Sequence, residues 1–514
     1  MRIISKNYTL LFISLISLPL VAQNIGSGTG NYVEIMPTDS KDDIILKAAK
    51  VIPSEKQMAW QKMELTAFLH FGINTFTDRE WGEGNEDPWL FNPEELDAGQ
   101  WVKTCKDAGM KLIIITAKHH DGFCLWQSKY TSHSVKSSPW KNGKGDVVKE
   151  LANACRKQGI KLGIYLSPWD RNSAVYGTEE YNDYFVNQLT ELLTNYGNVA
   201  EVWFDGANGE GPNGKKQIYD WQRYYKAIRR LQPNAVIAIV GPDVRWVGTE
   251  SGYGRDTEWS VVPANVQDED EIAARSQQAG GTFRPLIDAM AKDLGSRDKL
   301  YDAKRLVWYP SEVDVSIRPG WFYHKNQDKK VKGVGKLLDI YYSSVGKNSL
   351  LLMNIPPDKR GLIHENDVET LRKWRKVLDE TFKDNLAANA LIVNEKSLSK
   401  QEAKSMTDND YDTYWMAEEE TPTLEFSLAA AKTFDRLLLQ EKITVGQRVE
   451  KFKFEAKING KWGLITEGTT IGYKRLLRFP EVTTEKLRLT IIKSRANPAL
   501  AEFGIYKSAA KDNN

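Results

Sequence analysis

Residues Leu112–Trp126 read LIIITAKHHDGFCLW. An apolar run, interrupted only by Thr116, meets a lysine, two adjacent histidines and an aspartate. Strands buried on both faces read as continuous aliphatic runs. Polar groups cluster where such a strand leaves the sheet, so this stretch predicts a buried parallel strand that ends in chemistry.

The surrounding chain repeats the pattern. LTAFLHFGI (65–73), IKLGIYLSP (160–168), VAEVWFDG (199–206) and AVIAIVGP (235–242) have strand character. Between the five strands lie four amphipathic stretches: AGQWVKTCKDAGM, DVVKELANACRKQG, EEYNDYFVNQLTELLTNYG and YDWQRYYKAIRRLQP. Asp146 is placed to cap the second stretch and Gly159 to end it. Such βα units make either a doubly wound sheet or a (β/α)8 barrel. No glycine-rich phosphate turn follows the first strand, and polar residues recur at the strand ends, which favours the barrel. KRLVWYPSEVDVS (304–316) and NSLLLMNIPP (348–357) read as later barrel strands, and ENDVETLRKWRKVLDETF (365–382) as a closing helix. The chain then changes to short alternating runs, TLEFSL, DRLLLQEK, VEKFKFEAK and KLRLTIIK, which predict an all-β sandwich. The expected fold is α/β, a (β/α)8-type TIM barrel followed by that sandwich.

Residues 1–22 place Arg2 and Lys6 before an apolar run from about Leu10 to Val21, ending at Ala22. This is the pattern of a secretory signal peptide, and its apolar part is short for a membrane span. The expected organisation is signal peptide 1–22, lead-in 23–50, barrel 51–385 and sandwich 386–514. The protein is expected to be exported, to the periplasm or beyond the cell. Lys and Arg total 70 against 68 Asp and Glu, a formal charge of +2, so nothing favours nucleic acid as a partner. Cys105, Cys124 and Cys155 are the three cysteines; their number and positions predict no structural disulfide and give no metal-site spacing.

His70, His119, His120, Tyr165 and Asp205 fall at or just past strand ends, where a barrel gathers them at one mouth. A carboxylate at Asp205 suits attack on, or stabilisation of, a cationic centre; a loop ion pair or helix cap is the plainer alternative. Imidazoles at the mouth suit sugar hydroxyls, although His70, His119, His120 and Asp205 could also supply metal ligands. Glu250, Glu258 and Glu312 are candidate proton donors that composition does not separate. Trp81, Trp126, Tyr165, Trp246 and Trp321 stand in the same segments, where aromatic faces pack or stack on sugar rings.

Five blocks in order, LHFGINTFTDREWG, KHHDGFCLW, GIYLSPWDRN, EVWFDGA and LLLMNIPPDKRG, together resemble glycoside hydrolase family 29, the retaining α-L-fucosidases. The resemblance spans about Trp60 to Phe382. It implies double-displacement hydrolysis of terminal α-L-fucose with no metal or organic cofactor. It assigns Asp205 as nucleophile and His70, Glu80, Trp81, His119, His120 and Tyr165 to the fucose ring. GPDVRWVGTESGYG (241–254) and SIRPGWFYH (316–324) resemble the subfamily selective for α-1,3 and α-1,4 linkages, which makes Glu250 the acid/base and places Trp321 in the pocket. Thr249 departs from the asparagine usual before that glutamate; Glu312 and then Glu258 are the reserve acids. TDNDYDTYWMA (407–417) resembles an early loop of discoidin-like sandwiches. The implied partners are fucosylated oligosaccharides or glycoconjugates. The alternatives are a fucosidase of broad linkage tolerance, a non-catalytic fucose-binding protein and a metal-dependent hydrolase.

Overall fold

The computed structural model describes residues 30–267, 293–393 and 398–509. The predicted signal peptide lies outside the described residues. Eight parallel strands form the central sheet: β1 (Leu65–Leu69), β2 (Leu112–Lys118), β3 (Lys161–Leu166), β4 (Val199–Phe204), β5 (Val236–Ile239), β6 (Arg245–Trp246), β7 (Ser311–Ser316) and β8 (Ser349–Asn354). Their order runs from β5 through β1 to β8, β7 and β6, and a parallel bridge between Ala238 and Val244 closes the barrel. Around it lie α1 (Ala98–Asp107), α2 (Val147–Gln158), α3 (Glu180–Asn195), α4 (Trp221–Leu231), α5 (Val334–Ser343) and α6 (Glu365–Thr381).

Alternation along the strands builds two apolar layers. Leu112 and Ile114 join Phe68, Tyr165, Trp203, Leu350 and Leu352 inside the barrel. Ile113 and Ile115 pack outward with residues of α1 and α2 such as Trp101 and Leu151. Asp146 caps α2 through the Lys149 N–H at 2.8 Å, and Gly159 ends it in left-handed backbone at φ 73°. Here a side-chain acceptor and a missing Cβ set both helix ends. Cys105, Cys124 and Cys155 are free, buried thiols.

The regular βα rhythm stops after α4. No helix separates β5 from β6, which are joined by residues 240–244. Parallel neighbours ordinarily need a crossover of about a dozen residues; here Ile239 turns in left-handed backbone (φ 58°) and pairing shrinks to the single closing bridge. The stretch 304–316, expected as one barrel strand, is two strands in different sheets. Arg305–Trp308 pairs antiparallel with Tyr32–Glu34 and Val261–Pro263, and only Ser311–Ser316 enters the barrel. Pro310, which lacks an N–H and fixes φ, stands at the break.

Beyond α6 the chain is β-rich. Thr423–Glu441 and Arg475–Ser494 pair antiparallel along most of their lengths around a core that includes Phe426, Phe434, Phe454 and Phe503. This C-terminal unit abuts the barrel: Arg436 Nε donates to Tyr342 Oη at 3.0 Å, and Gln447 Oε1 accepts the Ser260 N–H at 2.8 Å. Among the described residues no helix is long and apolar enough to cross a membrane.

The end of β2 shows what the opening lysine does. A register shift between Thr116 and Lys118 breaks the pairing with β3. Lys118 is completely buried, with Nζ 2.9 Å from Asp170 Oδ2 and 3.0 Å from Gln188 Oε1. Asp170 Oδ1 in turn accepts the N–H groups of Asn172 and Ser173. The pair therefore ties the loop after β3 beneath the histidines. Lys118→Ala leaves Asp170 buried without its cation and is expected to lower stability by about 3–5 kcal/mol, measured by denaturant unfolding.

Candidate active site

The C-terminal ends of the strands converge on one opening. Asp205, one residue past β4, accepts two hydrogen bonds: Tyr165 Oη to Oδ2 at 3.0 Å and the Ala207 N–H to Oδ1 at 2.9 Å. His120 Nε2 stands 3.8 Å from Oδ2, while its Nδ1 pairs with Ser167 Oγ at 2.7 Å. Tyr165 is buried, stacked on Trp203 (centroids 5.3 Å, 28°) and parallel to His119 (5.8 Å, 13°). Its phenol is held neutral, its pKa driven well above the ordinary value by burial and the Asp205 charge, so it donates to the carboxylate.

The histidines form a continuous wall. His70 touches His119 edge to face at 5.8 Å, and His119 lies 4.1 Å from His120. Burial pushes all three below the usual imidazole range, His70 to about 3; neighbouring imidazoles add to this at His70 and His119, while at His120 the Arg171 and Lys118 charges add to it and Asp205 opposes it. Neutral imidazoles can both donate and accept, which matches the hydroxyls of an uncharged sugar. His119 Nδ1 is buried without a hydrogen-bond partner among the described residues; the nearest carboxylate, Asp121 Oδ2, is 3.9 Å away. Such orphaned buried atoms are costly unless a ligand satisfies them.

Glu250 follows β6, one strand later than its sequence position suggested. Its Oε2 accepts the Trp321 indole N–H at 3.0 Å, and Trp321 packs on His70 at 5.0 Å. By surface area Glu250 is exposed, yet the protein mass walling the mouth desolvates its carboxyl. That desolvation raises its pKa first, and the charges of Asp205 and Glu80 raise it further against the Trp321 bond. Glu80 receives the Trp321 backbone N–H at 2.8 Å. Trp81, 49% exposed, meets His120 and Trp169 edge to face at 5.6 and 5.8 Å and leaves much of its surface open at the rim.

These contacts gather Asp205, Glu250, His70, Glu80, Trp81, His119, His120, Tyr165 and Trp321 at one mouth. The alpha-L-fucosidase family profile matches residues 54–381, the barrel, and an F5/8 type C domain profile matches residues 392–503. The chain belongs to the α-L-fucosidase family, glycoside hydrolase family 29. It is 43% identical to alpha-L-fucosidase 1 of Arabidopsis thaliana, covering 88% of this chain and 87% of that one. A solved candidate α-L-fucosidase from Bacteroides ovatus is 51% identical with a TM-score of 0.84, covering 94% of this chain and 79% of its own. A Ruminococcus gnavus GH29 fucosidase solved in complex with fucose is 33% identical with a TM-score of 0.77, covering 90% of this chain and 96% of its own. The enzyme is therefore a glycoside hydrolase.

The fucosidase fold also separates residues that sequence could not. Glu258 is buried and paired with Arg245 and, at 3.4 Å, with Arg255. Its backbone N–H bonds Thr470 of the C-terminal unit at 3.1 Å. It holds two arginines and is not free to protonate a leaving group. Trp126 is likewise a core residue, donating to Glu191 at 2.9 Å. Two positions not anticipated from sequence are Asn354, whose Oδ1 lies 2.9 Å from His70 Nδ1, and Trp203, which supports Tyr165. Asn354 ends β8 within the LLLMNIPPDKRG block, and that strand-end position is the signal that could have found it.

Glu312 lies inside the barrel, completely buried, with Oε1 accepting the Trp203 indole N–H at 2.8 Å. It is within hydrogen-bonding reach of Glu201 and Asp314, and burial raises the pKa values of all three carboxyls. Each has one buried oxygen that finds no donor unless a neighbouring carboxyl carries a proton. Sealed in this proton-sharing cluster, Glu312 does not meet a glycosidic oxygen. Glu312→Gln keeps an acceptor for Trp203 and a donor for a neighbour. Its kcat/KM is expected to stay within about threefold of the parent, against the roughly 10²–10⁴-fold loss that follows removal of a proton donor. Steady-state assay of an aryl fucoside and a fucosylated oligosaccharide decides between them.

Proposed function

We propose that the protein is an exported, retaining exo-α-L-fucosidase that releases terminal α-1,3- and α-1,4-linked fucose by double displacement. The observation that carries this reading is the placement of two unlike carboxyls at one mouth. Asp205 receives donors from Tyr165 and Ala207, while Glu250 is desolvated and lies within the field of Asp205. In the first step Asp205 attacks the anomeric carbon as Glu250 protonates the departing oxygen. In the second, Glu250 takes a proton from water, which displaces Asp205 and restores the original configuration. The three neutral histidines hold the ring hydroxyls, and His119 Nδ1 gains the partner it lacks in the protein. Trp81 and Trp321 supply faces for the apolar side of the sugar. The charge pattern of residues 1–22 supports export, and the Glu250 segment supports the linkage preference.

Asp205→Ala is expected to abolish turnover, and azide should restore it with β-fucosyl azide as product. Glu250→Ala is expected to cost about 10²–10⁴-fold in kcat/KM on oligosaccharides and much less on aryl fucosides with good leaving groups. Full activity in either variant removes that residue from its role.

A panel of Lewis-type trisaccharides, α-1,2-fucosyl glycans and aryl fucosides tests the linkage assignment. Preference for the first class is expected. Comparable turnover of all three shows the broad-tolerance reading to be correct.

A further inference from the structure

One imidazole at the mouth belongs to neither the nucleophile nor the acid. His324 lies past β7, largely buried, with each ring nitrogen on a carboxylate. Nδ1 is 2.7 Å from Asp78 Oδ1, and Nε2 is 2.6 Å from Glu80 Oε1. Glu80 thereby spends one oxygen on His324 and the other on the Trp321 backbone N–H at 2.8 Å. The Trp321 indole then reaches Glu250 at 3.0 Å, and the Trp321 carbonyl accepts from Asn354 Nδ2 at 2.8 Å. Gly320 permits this approach, since a Cβ there would fall 2.1 Å from Glu80 Oε1. The result is a chain of direct hydrogen bonds, Asp78 to His324 to Glu80 to Trp321 to Glu250. It crosses the loops after β1, β7 and β6.

We propose that His324 is a positioning residue which, held by Asp78, fixes the Glu80 carboxylate and through it the Trp321 segment that bears on Glu250. The inference rests on the site reading above and extends it to His324 and Asp78, whose contacts run to Glu80 and to each other. Without His324, Glu80 keeps a single bond and a free rotor. Its charge is then no longer held in one place beside Glu250, and the Trp321 backbone loses a fixed acceptor. The contribution of His324 therefore passes through Glu80, and that dependence is measurable.

The test is a double-mutant cycle of His324→Ala and Glu80→Ala, with kcat and KM read separately on an aryl fucoside and on a fucosylated oligosaccharide. Each single variant is expected to lose about 10- to 100-fold in kcat/KM, and the double variant to fall within about threefold of the weaker single, since residues sharing one network are not additive. A purely structural His324 would instead cost the same factor whether or not Glu80 is present. Multiplicative losses in the double variant therefore overturn the proposal, as do unchanged kinetics in His324→Ala. If His324→Ala fails to fold, Asp78→Ala decides instead. The Asp78 side chain is 59% exposed, and its removal should give a smaller loss that disappears in the Glu80→Ala background; persistence of that loss overturns the proposal. His324→Gln, which can still donate to one carboxylate, should recover part of the activity. Asp205→Ala runs alongside: activity there defeats the underlying site reading, whereas an inactive Asp205→Ala with additive His324 and Glu80 defeats this inference alone.

Discussion

The constraint from which the site follows is closure of eight parallel strands. A strand buried on both faces offers no place for an unpaired polar group along its length, since each would cost roughly 1–3 kcal/mol or more. Side chains that can do chemistry are therefore displaced to the strand ends, and closure brings those ends together. His70, Lys118, Tyr165, Asp205 and Asn354 come from five different strands or their immediate extensions, yet four of them sit around one opening. The register shift before Lys118 sends the fifth to the opposite task, anchoring Asp170 behind the wall. A contiguous KHH thus splits into a structural cation and two site histidines.

Where polar groups do lie within the barrel, they come in sets that can neutralise themselves. Glu201, Glu312 and Asp314 share the interior with the Trp60 and Trp203 indoles, which donate to Glu201 and Glu312 at 3.0 and 2.8 Å. Protons shared among the carboxyls spare the interior a triple charge. The neutral histidines above follow the same economy, with burial removing their charge and leaving their hydrogen-bonding capacity. The Lys118 charge is paired with Asp170, while Asp205 and Glu250 stand at the mouth, with Glu250 in the field of Asp205.

Much of this was legible in the sequence because it depends on local pattern. Apolar runs gave β1 to β5, the first four with polar residues at or near their ends, an aspartate and a glycine marked both ends of α2, and loss of helical period marked the C-terminal unit. What was not legible depends on partners far apart in the chain. His70 with Asn354, Glu80 with His324 and Trp203 with Glu312 are each separated by more than a hundred residues, and no periodicity relates them. The two-residue β6 is too short to announce itself, and Pro310 divides what hydropathy reads as one strand. Glu250, Glu258 and Glu312 are alike as letters. Only burial and partners show that one lies at the mouth, one is held by arginines and one is sealed in the barrel.

The same field gives the proposed two-step reaction its change of role. The Asp205 charge adds to desolvation in favouring the protonated form of Glu250, which is the form the proposed first step uses. Formation of the glycosyl ester removes that charge, and one cause of the raised pKa disappears when Glu250 must become a base. The Trp321 indole works in the other direction throughout, since its N–H stabilises the carboxylate. Glu250 thus sits between a carboxylate charge that disappears in the proposed first step and an indole bond that persists. In the proposed reaction Glu250 becomes an acceptor on giving its proton to the leaving oxygen, and loss of the Asp205 charge lowers the affinity with which it would hold a second one.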